Sequence, residues 1–197
     1  MRNIIMRNII IHNIFIYMYI MVGCKYSASV LNKTLLTILH LLNINKIDKW
    51  FICYGTLLGM VRNSSCIDDD DDIDILLDCS HYDKVKKILL DNNFNVMDKY
   101  FSLELDRNIL KTEQNDEYAS IDIYMADLEQ DCVVDKWNKL KIMDCYLNKS
   151  NFTFIEKLYC DEKIYYPNNY ERILLNRYGR DWMIEQKIKV PQTMTIL

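Results

Sequence analysis

The spacing of apolar residues predicts the first elements of the chain. Leucine and isoleucine recur three or four positions apart between residues 27 and 42, which is the periodicity of an amphipathic helix. The apolar run at residues 50–54 ends at Gly55, as a short buried strand does, and residues 56–62 then predict a short helix. Residues 72–77 alternate aspartate with isoleucine and continue as leucines. That alternation predicts a strand with one face on a core.

Two further helices follow from local signals. Ser80 and Asp83 have the spacing of a capping box, which predicts a helix that begins there. Its inward residues are expected to be Val85, Ile88 and Leu89. The last helix is predicted to begin at Pro167 and Asn168 and to end at Gly179. Its inward residues are expected to be Ile173, Leu174 and Leu175.

The remaining strand signals decide the fold class. Strands are predicted over residues 94–97, 100–105, 109–112 and 119–125, whereas residues 127–160 carry little pattern. Strands and helices therefore intermix along the chain. This order predicts an α/β (α+β) fold in which helices cover a mixed sheet.

Residues 1–25 differ from the rest of the chain. Arg2 and Arg7 precede an unbroken apolar run at residues 14–22, which is the order of a signal peptide or signal anchor. The run is shorter than the roughly 20 residues that span a bilayer, and a hydrophobic helix packed on the domain fits equally well. We therefore expect an apolar amino-terminal segment, residues 1–25, and one domain, residues 26–197. A signal would direct the protein to the secretory pathway or tether it to a membrane; otherwise it is cytoplasmic.

Charge and cysteine content narrow the functional classes. The net charge of −4 disfavours a diffuse basic surface, so nucleic acid is not an expected partner. The seven cysteines include no C-x-x-C pair, which disfavours a structural zinc site. Half of the residues are hydrophobic and 26% are charged, as in a chain that builds a core.

Acidic residues within apolar strands are the main chemical signal. Asp72 and Asp74 are two positions apart in a predicted strand, so their side chains share a face. Asp122 lies between Ile121 and Ile123 in another predicted strand. Neighbouring carboxylates repel each other unless a cation lies between them, and hard oxygen ligands favour Mg²⁺ or Mn²⁺. Three converging acids would hold two ions about 3.5–4 Å apart, the arrangement used in phosphoryl and nucleotidyl transfer.

The turn before the acidic strand suits a phosphate. Gly55 and Thr56 lie between a predicted strand and a predicted helix, where free backbone amides and the helix dipole attract anions. Arg62 follows nearly two turns later, and its guanidinium is a bidentate phosphate ligand. We therefore expect Gly55, Thr56 and Arg62 to contact the phosphates of a substrate.

Plainer interpretations stand beside these. A run of aspartates is usually a solvated loop, and we expect that of residues 68–70. Asp122 taken alone is a weak signal, because acids are common at strand ends. Tyr178, Gly179 and Trp182 are expected to fix packing at a helix end rather than to take part in catalysis.

The segment from Tyr54 to Ile75 resembles the signature of the LicD/fukutin-type nucleotidyltransferase-fold family. In this chain the segment reads Y-G-T-L-L-G-M-V-R-N-S-S-C-I-D-D-D-D-D-I-D-I. That signature reads roughly G-T-L-L-G-A-V-R, a short loop, then I-P-W-D-D-D-I-D-I. The later A-S-I-D-I-Y around Asp122 resembles the third acidic strand of the family, and residues 166–183 resemble its closing motif. The resemblance covers residues 31–184. It departs from the signature at Asp68 and Asp69, which stand where the family has Pro-Trp.

The resemblance implies a nucleotidyltransferase-like fold and a metal-dependent transferase. By position, Asp72, Asp74 and Asp122 are the metal-binding and catalytic acids, while Gly55 and Thr56 form the phosphate-side turn. Family members move a phospho-alcohol, such as phosphocholine or ribitol phosphate, from a CDP-linked donor to a glycan. Two alternatives stay open: a small nucleotidyltransferase that modifies a protein or small molecule, and a non-catalytic cation-binding member. Membrane association through residues 1–25 also stays open.

Overall fold

The computed structural model describes residues 25–97 and 107–185. The predicted amino-terminal segment, residues 1–25, lies almost wholly outside them, and the strand predicted at residues 100–105 lies entirely outside them. Within the described ranges, no helix combines the length and the apolar character needed to cross a membrane.

The chain builds a mixed sheet between helices. The helices are α1 (Ala28–Ile44), α2 (Tyr54–Asn63), α3 (Tyr82–Asp91) and α4 (Tyr170–Tyr178). The strands are β1 (Trp50–Ile52), β2 (Asp72–Asp78), β3 (Ile109–Lys111), β4 (Ser120–Leu128), β5 (Cys132–Asp135), β6 (Leu140–Met143), β7 (Ile155–Tyr159) and β8 (Glu162–Tyr166). The predicted α/β (α+β) fold class is confirmed.

Two parallel strands form the centre of the larger sheet. Its strand order is β1-β2-β4-β5-β6, and β3 pairs with β4 beside β5. β2 and β4 run parallel, whereas every other pair of the sheet is antiparallel. β7 and β8 form a separate antiparallel hairpin.

Alternate residues of β2 and β4 face two different surroundings. The isoleucines at positions 73, 75, 121 and 123 enter a large core that also contains the apolar stripe of α1. The opposite face carries a smaller apolar cluster that includes Leu76 and Ala126. That cluster covers only the later part of both strands. The amino-terminal ends of β2 and β4 therefore carry polar side chains on this second face.

Several predicted boundaries need correction. α2 begins at Tyr54 rather than at residue 56, because the positive φ of Tyr54 (45°) turns the strand directly into the helix. Ser80 is not a helix cap: the Asp78 side chain accepts from the Ser80 amide, and a short 3₁₀ turn precedes α3. The strand predicted at residues 94–97 is reduced to a single bridge from Val96.

The carboxyl-terminal half shows the largest differences. Strands β5 to β8 lie mostly within residues 127–160, where the sequence carries little pattern. The last helix begins at Tyr170, after the predicted start at residue 167, and ends at Tyr178, with Gly179 as its carboxyl-terminal cap at the predicted position. Leu174 faces inward, but Leu175 is 40% exposed, which contradicts its predicted inward position.

Candidate active site

Two neighbouring strands bring the three acids onto one face of the sheet. β2 and β4 are paired so that Asp74 lies directly opposite Asp122, and Asp72 lies opposite Ser120. Alternate residues of a strand share a face, and paired residues of neighbouring strands do as well. Asp72, Asp74 and Asp122 therefore lie together near the amino-terminal ends of the two central strands, beyond the smaller apolar cluster.

Burial makes these carboxylates difficult to ionise together. Asp74 and Asp122 are each 6% exposed, and Asp72 is half-buried. Loss of hydration, reinforced by the charges of Asp122 and Asp70, raises the pKa of Asp74 to about 7. Loss of hydration and the charges of Asp74 and Asp122 raise the pKa of Asp72 to about 10. A cation bound among these side chains would favour their ionised forms.

The amino terminus of α2 faces Asp74. The Gly55 amide donates to Oδ2 of Asp74 at 2.9 Å, and the Asp74 amide donates to Oγ1 of Thr56 at 2.8 Å. A Cβ at position 55 would lie 2.6 Å from Oδ2 of Asp70, so the lack of a side chain lets the helix approach the acids closely. The turn thus binds the Asp74 carboxylate, and the phosphate contact that the sequence predicts for Gly55 and Thr56 stays a prediction.

A second group of acids lies in the loop that leads into β2. One oxygen from each of Asp70, Asp71 and Asp72 lies within 4.8 Å of the other two. All three residues are half-buried. Clustered carboxylate oxygens are the ligands that Mg²⁺ and Mn²⁺ prefer, so this donor set fits a divalent cation.

The solvated loop expected at residues 68–70 is confirmed in part. The Tyr26 amide donates to the Asp70 carbonyl at 2.9 Å, which holds the loop against the domain. Oδ1 of Asp68 accepts from the Ala28 amide at 2.8 Å and so caps the first turn of α1. Asp68 and Asp69 keep the exposed positions that the sequence predicts, whereas Asp70 is half-buried. The sequence does not distinguish these roles, because the aspartates follow one another in a run of five.

Lys111 is a site residue that sequence reasoning missed. Its ammonium lies 2.7 Å from the Asp122 carboxylate, and β3 pairs with β4 so that the two residues face each other. Burial raises the pKa of Asp122, and the Lys111 charge opposes this shift. A lysine at the end of an apolar strand was the available signal.

Tyr124, Tyr54 and the buried Asp135 form a chain of contacts that leads to Asp74. The Tyr124 hydroxyl donates to Oδ1 of Asp74 at 3.2 Å, and the Tyr124 ring packs edge-on against Tyr54 at 5.0 Å between ring centres. The Tyr54 hydroxyl donates to Asp135, which is fully buried and also accepts from the side chain of Asn138. Asp74 is therefore held by α2 on one oxygen and by Tyr124 on the other.

Two arginines make contacts within the chain near the site. Nε of Arg62 donates to the Trp182 carbonyl, and Nη2 donates to the Ile184 carbonyl at 3.2 Å. Its guanidinium therefore binds the segment after α4, and the phosphate contact that the sequence predicts for it stays a prediction. Arg177 of α4 lies over the Tyr54 ring, 4.0 Å from its centre, although no sequence motif singled it out.

Comparisons with known proteins identify the family and the fold of the chain. The model of the LicD/FKTN/FKRP nucleotidyltransferase domain matches residues 48–170. The chain is similar to the lincomycin-bound structure of the lincosamide antibiotic adenylyltransferase LnuA, with a TM-score of 0.53 and 20% identity over 76% of this chain and 87% of that chain. At this identity the likeness shows a shared fold.

A weaker likeness involves terminal uridylyl transferase 4 from Trypanosoma brucei with bound GTP. Its TM-score is 0.36 with 9% identity, over 55% of this chain and 32% of that chain, and it carries no argument. A search of curated proteins gives no significant match.

Proposed function

Because the chain belongs to the LicD/FKTN/FKRP nucleotidyltransferase-domain family, we propose that it transfers a phospho-alcohol from a CDP-linked donor to a glycan. Family membership and the nucleotidyltransferase-like fold support a transferase of phosphorus-containing groups. The donor class follows from the resemblance of the Gly-Thr-Leu-Leu-Gly and acidic segments to the family signature. Phosphocholine and ribitol phosphate are the alcohol phosphates that this resemblance suggests.

The acidic face is the observation that carries the proposal. Asp74 and Asp122 are buried opposite each other, and Asp72 shares their face. Such a face repels a diphosphate anion unless a cation lies between them. We propose that Mg²⁺ or Mn²⁺ fills this role, held by carboxylates of Asp70, Asp71 and Asp72 beside Asp74. The cation would polarise the phosphoryl group and stabilise the leaving phosphate.

The proposed reaction is a displacement at phosphorus. An acceptor hydroxyl oxygen forms a bond to the phosphorus that carries the alcohol, and the bond from that phosphorus to the bridging oxygen breaks. CMP leaves with the bridging oxygen and its electron pair. The hydroxyl proton passes to an ionised carboxylate of the acidic face and then to solvent.

A second candidate has its own supporting observation. The fold is similar to that of LnuA, an adenylyltransferase, and an enzyme of that kind would move a nucleotide to a small molecule or protein. Such a reaction releases pyrophosphate from a nucleoside triphosphate, whereas phospho-alcohol transfer releases CMP. A non-catalytic member would release neither. The presence of all three acids argues against that last alternative, because a degenerate, non-catalytic member would be expected to have lost at least one of them.

Product analysis tests the proposal. The full chain is incubated with Mg²⁺ or Mn²⁺ and a panel of CDP-linked alcohols and nucleoside triphosphates, with mixed glycans as acceptors. We expect metal-dependent CMP release, which Asp72→Asn should abolish. Asp69→Asn is the matched control: Asp69 is exposed and has a φ of 64°, a conformation that asparagine tolerates. Pyrophosphate release without CMP would favour the nucleotidyl transfer reaction instead.

A further inference from the structure

Three strands place an unbroken row of charged residues across the acidic face. Asp74 of β2 faces Asp122 of β4, and Asp122 in turn faces Lys111 of β3. The Lys111 side chain is 21% exposed and the Asp122 side chain 8% exposed, so their 2.7 Å contact is largely shielded from water. It is the most buried of the ion pairs within the described ranges.

The row divides the acids into two groups. The Asp122 carboxylate is engaged by the Lys111 ammonium, and Asp74 is held by the Gly55 amide and the Tyr124 hydroxyl. The loop carboxylates, Asp70 to Asp72, form the compact oxygen cluster. A divalent ion therefore has carboxylate ligands near the Asp74 end of the row, from Asp70 to Asp72. At the other end of the row, the Lys111 ammonium already supplies a positive charge.

We propose that Lys111 supplies the second positive charge of the site: the protein binds one divalent cation, and the ammonium held by Asp122 contacts a phosphate oxygen of the donor. The phosphate contact of Lys111 rests on the proposed function, because that function supplies the donor. The number of bound cations does not depend on the proposed function. A lysine ammonium is a suitable phosphate ligand because it is a compact charge with three donors. Asp122 then acts as the positioning residue for Lys111 rather than as a metal ligand, which revises the two-ion expectation.

Metal stoichiometry is the first test, and it is independent of activity. The full chain is titrated with Mn²⁺ alone, and free ion is followed by electron paramagnetic resonance, with and without saturating CDP. We expect one bound ion per chain in both conditions. Two bound ions in the wild type in either condition would overturn the proposal.

Variants at position 111 provide the second test. Lys111→Met frees Asp122 for a metal, so we expect a second Mn²⁺ to bind, while Lys111→Arg keeps the charge and should keep one. Lys33→Met is the matched control, since the Lys33 ammonium lies 2.8 Å from Glu117 in an exposed pair. A Lys111→Met protein that still binds one Mn²⁺ with unchanged affinity would contradict the assignment. If Lys111→Met does not fold, the wild-type and Lys111→Arg stoichiometries still decide.

Donor binding separates this inference from the proposed function. With one equivalent of Mn²⁺, Lys111→Met should weaken CDP binding about tenfold to hundredfold, because a charge-assisted hydrogen bond is lost. Equal CDP affinity in wild type and Lys111→Met would refute the phosphate contact. If CDP does not bind the wild type at all, the proposed donor is wrong and the Lys111 phosphate contact falls with it. The Mn²⁺ stoichiometry is still interpretable in that case.

Discussion

Replacing Asp74 by asparagine tests whether the acidic face is strained without a cation. The folded protein raises the pKa of Asp74 from 3.8 to about 7, mainly through burial. The folded state therefore holds this proton more tightly than the unfolded state. In metal-free buffer, stability should fall as the pH rises from about 4 to about 7. Asp74→Asn removes this loss, because the amide carries no charge.

The structure sets the size of the effect. A pKa difference of about 3, at about 1.4 kcal/mol for each unit, gives an upper bound of about 4 kcal/mol above pH 7. Asparagine retains one carbonyl oxygen for the Gly55 amide, which donates to Asp74 at 2.9 Å in the native protein. Local relaxation reduces the upper bound, so we expect Asp74→Asn to be more stable than the wild type by about 2 kcal/mol at pH 8.

Urea unfolding in EDTA at pH 4 and pH 8 measures this difference. At pH 4 the Asp74 carboxyl is protonated in the folded state, so the advantage of Asp74→Asn should largely vanish. Asp69→Asn, at an exposed loop position, should match the wild type at both pH values. An advantage that is equal at pH 4 and pH 8, or absent at both, would refute the argument from buried charge.

Added Mn²⁺ completes the comparison. A ligand that binds only the folded state stabilises it, by about 2.7 kcal/mol at a concentration 100 times the dissociation constant. The wild type and Asp69→Asn should gain this stability, whereas Asp74→Asn should gain less, because it removes a negative charge beside the proposed cation site. A full gain by Asp74→Asn would show that Asp74 does not contribute to cation binding.

Three smaller changes probe the support of the site. Gly55→Ala places a Cβ 2.6 Å from Oδ2 of Asp70, so the Mn²⁺ affinity measured by calorimetry should fall roughly tenfold. An unchanged Mn²⁺ affinity would show that the loop adapts to the added methyl group. Tyr54→Phe removes a hydrogen bond to the buried Asp135 and should cost about 1–3 kcal/mol in chemical unfolding; a neutral result would show that this network is not needed. Asp68→Ala removes the cap of α1 and should cost about 1 kcal/mol while Mn²⁺ binding is unchanged, so weaker Mn²⁺ binding would contradict the separate roles of the acidic run.

The sequence alone was sufficient wherever local pattern and burial coincide. The apolar stripe of α1 and the alternation of β2 predict both elements, because their periodicities match the faces that they bury. The same alternation predicts that Asp72 and Asp74 share a face. The signature at residues 54–75 identified the family, which the match over residues 48–170 confirms.

Only the tertiary structure decided which partners meet those residues. The register of β3 on β4 brings Lys111 to Asp122, and the fold brings Arg62 to backbone carbonyls after α4, far along the chain. Sequence could not distinguish Asp68, which caps α1, from Asp70, which lies beside Gly55, because both stand within one uniform acidic run. Periodicity reports the face on which a side chain lies, whereas contacts between distant segments depend on strand register and packing, which no local pattern encodes.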